Sequence, residues 1–107
     1  MSLFDKREKG FEEKFAHDEE MRFKAHARRD KLVALWAAGL LGLSPEESER
    51  YADTLIRTDI SEPGDEDVVR KLKTDFEAKG IRNSEHQIRR TMDEMLARAV
   101  KEIEEGR

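Results

Sequence analysis

Two short phrases, Ser44-Pro45-Glu46-Glu47 and Ser84-Glu85-His86-Gln87, constrain the fold of this chain more than anything else in it. Each sets a serine three residues ahead of a Glu or Gln, just before an amphipathic run. The serine hydroxyl can then accept from the backbone N–H three residues on, while the Glu or Gln side chain accepts from the serine's own N–H. That reciprocal arrangement is a capping box, and it starts a helix. Pro45 falls at a first helical position, where a missing N–H costs nothing. Behind the first box, Tyr51, Ala52, Leu55 and Ile56 form an inner face. Behind the second, Ile88, Met92, Met95, Leu96, Ala99 and Ile103 recur at helical spacing to the end of the chain.

Two more helices follow from the same reasoning. Val68, Val69, Leu72 and Phe76 mark one that Gly80 ends in a left-handed conformation, and "DISEPGDED" at 59–67 reads as the loop before it. Upstream, a helix starts near Ser2 or Asp5 and runs to about Leu40, with Gly10 a break point and Gly39, Gly42 and Ser44-Pro45 the stop. Its apolar positions Met21, Ala25, Leu32, Leu35, Trp36 and Leu40 are expected to be core. Four helices with short loops and one apolar stripe each predict an all-α protein, a small four-helix bundle over 19–107 preceded by a mobile amphipathic segment, 1–18.

Composition limits what such a bundle can be. The 107 residues suffice for one domain with a modest core, and 43% are charged against 36% hydrophobic, so part of the chain is expected to lie outside that core. Net charge is −4, which leaves no global basic field for nucleic acid or anionic lipid. Without cysteine there are no disulfides, thiolate metal sites or Cys nucleophile. The longest apolar run, "LVALWAAGLLGL" at 32–43, falls short of the roughly 20 residues that span a bilayer. No signal-peptide pattern opens the chain. These features predict a soluble, unexported protein.

Constellations that could carry chemistry fail one by one. His17 and His26 are nine residues apart, on opposite sides of a helix, and His86 is remote, so no shared metal site is expected. The 59–70 loop places Asp59, Ser61, Gly64, Asp65 and Asp67 where a calcium loop would have them. It also has Pro63 at position five and Arg70 where the bidentate Glu belongs. "GLLGLS" lacks the Lys-Ser/Thr of a phosphate loop and follows no strand. No catalytic residues, metal or cofactor are therefore assigned. "RFKAHARRDK" at 22–31 is the one basic cluster. It reads first as a solvated helix face, supported by the Glu20–Lys24 spacing. Arg22, Arg28 and Arg29 are secondary candidates for contact with a partner or a nucleotide.

"FDKREKGFEEKF" at 4–15 demands a different explanation. Phe4, Phe11 and Phe15 stand at i, i+7 and i+11 among eight charged residues and a glycine. On one helix they form a single stripe, about 75° from Met21, Leu32 and Trp36 at 100° per residue. The stripe could pack back on the bundle, lie on a membrane, or enter a protein groove. Residues 1–20 carry four basic and seven acidic side chains, which anionic lipid would repel. A groove in another protein, with the rings as anchors, remains beside the packed-back alternative.

The stretch "FDKREKGFEEKFAHDEEMRFKAHARRDKLVALWAAGLLGL" resembles the zeta subunit of α-proteobacterial F-type ATP synthases, a family of ATPase inhibitors. The likeness extends through "SERYADTLI" to the last helix. It is densest from Phe4 to Trp36, with Asp30 standing where the resemblance leads one to expect Asn in many relatives. It implies a four-helix bundle whose N-terminal segment wedges into a catalytic α/β interface beside the rotor shaft and blocks rotation in the ATP-hydrolysis direction. Phe4, Arg7, Glu8, Phe11, Glu12 and Phe15 would be the inhibitory contact. The partner implied is the catalytic head of the bacterial synthase. The protein would be monomeric when free, cytoplasmic, and peripheral to the inner membrane through the synthase. The alternative is a helical adaptor or nucleotide-binding module with a different partner.

Overall fold

The computed structural model describes residues 19–61 and 64–106. Among these residues there are four helices and no strand: α1 (Glu19–Leu41), α2 (Pro45–Ser61), α3 (Glu66–Ala78) and α4 (Glu85–Glu104). The expected bundle is there. Helix α1 is its axis, packing along one side against α2 and along the other against α4, while α3 lies against α2 and α4 and touches α1 least.

The local punctuation matches the sequence reading. At α2, the Glu47 N–H donates to Ser44 Oγ (3.2 Å) and the Ser44 N–H donates to Glu47 Oε1 (3.0 Å). At α4, the Gln87 N–H donates to Ser84 Oγ (3.1 Å) and the Ser84 N–H to Gln87 Oε1 (2.9 Å). Helix α3 ends at Gly80 with φ +71°, and the Ile81 N–H reaches back to the Phe76 carbonyl (2.8 Å), a six-to-one closure that turns Ile81 onto the core. Helix α1 ends the same way, with Gly42 at φ +71° and the Leu43 N–H on the Ala38 carbonyl.

The main core joins Val33, Ala34 and Ala37 of α1, Ala52 and Leu55 of α2, Val68, Val69, Leu72 and Phe76 of α3, and Ile88 and Met92 of α4. Trp36 meets Phe76 edge to face, ring centroids 5.5 Å apart. Around this core, Tyr51 Oη donates to Asp75 Oδ2 at 2.6 Å, tying α2 to α3. Burial and that aspartate push the Tyr51 hydroxyl up, out of the range in which it ionises. A smaller cluster, Ala25 and Val100 with Met21, Leu96 and Ile103, joins the start of α1 to the end of α4.

Three expectations need correction. Leu35 and Leu40 are not core: they are 42% and 45% exposed. Because α1 is pressed between two helices, its contact faces are built from small residues, Ala25, Ala34, Ala37 and Ala38, which let the axes approach, and the leucines are displaced to the flanks. The loop before α3 is also shorter than 59–67, because Asp59, Ile60 and Ser61 continue α2. Finally, the face of α1 assumed to be core was misplaced, while the Phe stripe compared with it lies outside the described residues. Arg29 and Val33, both buried, lie within about 20° of Phe4 on a count of 100° per residue.

Candidate functional site

The residues of the expected inhibitory contact, Phe4, Arg7, Glu8, Phe11, Glu12 and Phe15, lie outside the described residues, as does the proposed mobility of 1–18. What the structure does describe is the end of the bundle where that segment joins it. There the first turns of α1 are flanked by the last turn of α2 and the last turns of α4.

Phe23 stands on this end, 57% exposed, with Ile60 at 60%. The basic spacing of "RFKAHARRDK" leaves Phe23 on the opposite side of α1 from Ala25, so it takes no part in either core. A cleft of about 540 Å³ opens on each side of its ring. The first is lined by Phe23, Ala27, Ile56 and Ile60, with Asp59 and Asp65 at its polar edge. The second runs from Phe23 and Ala27 to Ile103, with Lys24, Arg28 and Lys31 along it. This end of the molecule therefore offers an apolar ridge with Glu19, Asp59, Asp65 and Arg22 on one side and the basic Lys24, Arg28 and Lys31 on the other.

The three arginines singled out in the sequence separate. Arg22 is exposed and lines the first cleft. Arg28 faces α4, where its guanidinium lies 3.7 Å from Glu102. Arg29 is not a surface group: it is 1% exposed and is among the largest fully buried side chains. Its Nε and Nη2 both donate to Asp30 Oδ1 (3.1 and 2.8 Å), and Nη1 donates to Asp65 Oδ1 (2.9 Å). Asp59 Oδ2 lies 3.4 Å from Nη2. Burial opposes the charge on Arg29, but Asp30 and Asp65 outweigh it and hold the guanidinium charged. Reading 22–31 as a solvated face is right for Lys24, paired with Glu20 at 3.5 Å, and wrong for Arg29.

Sequence reasoning missed the acidic partners of Arg29. Asp30 adjoins it and is equally buried, while Asp59 and Asp65 are 30 and 36 residues away. The available signal was the failed calcium loop, whose Asp59 and Asp65 both reach Arg29. His26, beside this cluster, is half-buried, and burial together with Arg29 lowers its basicity. Among the described residues, no three His, Asp or Glu are placed to hold a metal ion, and no helix is long and apolar enough to cross a membrane.

Comparison with known proteins places these features in context. No curated protein matches the chain. A solved structure described as "Solution NMR structure of the protein" is 37% identical, with a TM-score of 0.71, covering 81% of this chain and 99% of its own. The family model for ATPase inhibitor subunit zeta matches residues 1–102. Because that match starts at the first residue and takes in the Phe stripe together with the bundle, the chain belongs to the ATPase inhibitor subunit zeta family.

Proposed function

We propose that this protein restrains ATP hydrolysis by an F-type ATP synthase, with residues 1–18 as the inhibitory element and 19–107 as the body that carries it. The segment folds into a catalytic α/β interface beside the rotor shaft, Phe4, Phe11 and Phe15 anchor it, and Arg7, Glu8 and Glu12 pair with charges of the groove. A rigid wedge there stops rotation in the hydrolysis direction, and no bond is made or broken by the inhibitor itself. The observation that carries this reading is the extent of the family match, which begins at Met1 and not at the first helix of the bundle.

Magnitudes bear on how the contact is divided. Burying three Phe side chains gains roughly 5 to 9 kcal/mol, and ordering the segment costs roughly 2 to 5. Micromolar affinity needs about 8 kcal/mol, so the rings alone fall short and further contacts are required. The Phe23 ridge is suited to supply them, being exposed and only four residues from Glu19, where the described chain begins.

The test is removal of residues 1–18. The remaining chain is expected to keep its helical circular dichroism and lose inhibition of the purified synthase head. Full inhibition by the truncated protein would refute the proposal.

A further inference from the structure

The cluster around Arg29 does not balance in charge when every group is in its usual state. Asp30 is 1% exposed. Its Oδ1 takes both donors from Arg29, and its Oδ2 is buried with no hydrogen-bond partner among the described residues. Asp59, from the last turn of α2, shares that guanidinium: its Oδ2 lies 3.4 Å from Arg29 Nη2, the nitrogen that donates to Asp30 Oδ1 at 2.8 Å. Asp65, the N-cap of α3, takes the remaining Arg29 contact. Three carboxylates thus face one guanidinium, with Arg29 and Asp30 out of solvent and Asp65 at the open edge, and a buried carboxylate oxygen without a donor is costly.

Among the described residues, the neighbours do not supply the missing positive charge. His26 on α1 has its basicity lowered by burial and by Arg29. Arg22 is exposed on the outer cleft, where Glu19 also lies. Arg28 is turned away to Glu102 on α4. Two carboxylates in contact repel, but with one proton between them they form a hydrogen bond that also satisfies Oδ2.

We infer that Asp30 and Asp59 hold one proton between them, the Asp30 Oδ2 hydroxyl donating to the Asp59 carboxylate, and that this proton latches the end of α2 to α1. Releasing it leaves two adjacent negative charges across the seam that floors the Asp59 and Asp65 side of the cleft. The seam then loosens, and with it the support for Phe23 and Ile60.

The direction of titration agrees with the geometry. Burial first, and then the nearness of Asp59, push the Asp30 carboxyl up to about 8, against the pull of Arg29. A carboxyl whose pKa is raised on folding binds a proton in the native state that the unfolded chain has already lost. Its stabilising effect is therefore complete below the ordinary value of 3.8, declines as pH rises, and is gone above about 8. Within that window the folding constant falls by up to about tenfold per pH unit, opposite in sign to a salt-bridged surface aspartate.

Two measurements on the full chain decide it. In a carboxyl-carbon NMR titration, Asp30 is expected to titrate near pH 8. Titration of Asp30 below pH 5 with the surface carboxylates would overturn the inference. In urea unfolding between pH 5.5 and 9, Asp30→Asn, whose amide donates to Asp59 without a titrating proton, is expected to flatten the decline. Asp65→Asn, at a more exposed position, should leave the decline in place. An Asp30→Asn protein that declines as the unsubstituted chain does would also overturn it, and the NMR titration decides alone if that variant does not fold.

Discussion

Phe76 and Phe23 show how little a residue's hydrophobicity says about its place. Phe76 is 1% exposed at the meeting point of the helices and takes the edge of Trp36, whereas Phe23 is 57% exposed at one end. Phe76→Ala removes a ring from a packed centre and leaves a cavity, so it should lower stability by about 3 to 5 kcal/mol in urea unfolding. Phe23→Ala gives up little that folding had buried and should stay within about 0.5 kcal/mol of the parent in the same assay. Phe76 was legible in the sequence because it closes a helical stripe with Val68, Val69 and Leu72. The buried Arg29 was not, since nothing in the order Arg28-Arg29-Asp30 tells one arginine from the other. What separates them is an aspartate 30 residues on and another 36 residues on, and only the folded chain brings these together.

At the scale of the element, the features that were read correctly are those whose chemistry is complete within about five residues. Both capping boxes and the glycine ends of α1 and α3 involve only neighbours in the chain, and each appears with the hydrogen bonds expected. Ser84→Ala opens the box at α4 and should cost about 0.5 to 2 kcal/mol, and Ser44→Ala a similar amount at α2. The two caps share no partner, so the double variant should lose the sum to within about 0.5 kcal/mol by denaturant unfolding. The buried face of α1 was misread for the converse reason. Its sequence is rich in both Ala and Leu, and which of them turns inward depends on having helices on two sides. Weighing apolar residues by size chose Leu35 and Leu40. Close approach of α2 and α4 instead favoured Ala34, Ala37 and Ala38.

For the molecule as a whole, folding and inhibition are expected to draw on different phenylalanines, and that separation can be tested directly. The core described for 19–106 is built from residues 25 to 100, with Phe76 its only buried aromatic ring. If the stripe at Phe4, Phe11 and Phe15 serves a partner, Phe11→Ala removes about 1.5 to 3 kcal/mol of apolar contact from the complex, a loss of roughly 10- to 100-fold in affinity. The same change should leave the melting temperature of the free protein nearly unaltered. Phe76→Ala should do the reverse, lowering the melting temperature while the folded fraction still inhibits at the parent's affinity. Inhibition titrations of the synthase head, read beside thermal unfolding of the same two variants, separate the possibilities. A Phe11→Ala protein that melts as early as Phe76→Ala would mean that the stripe packs against its own bundle.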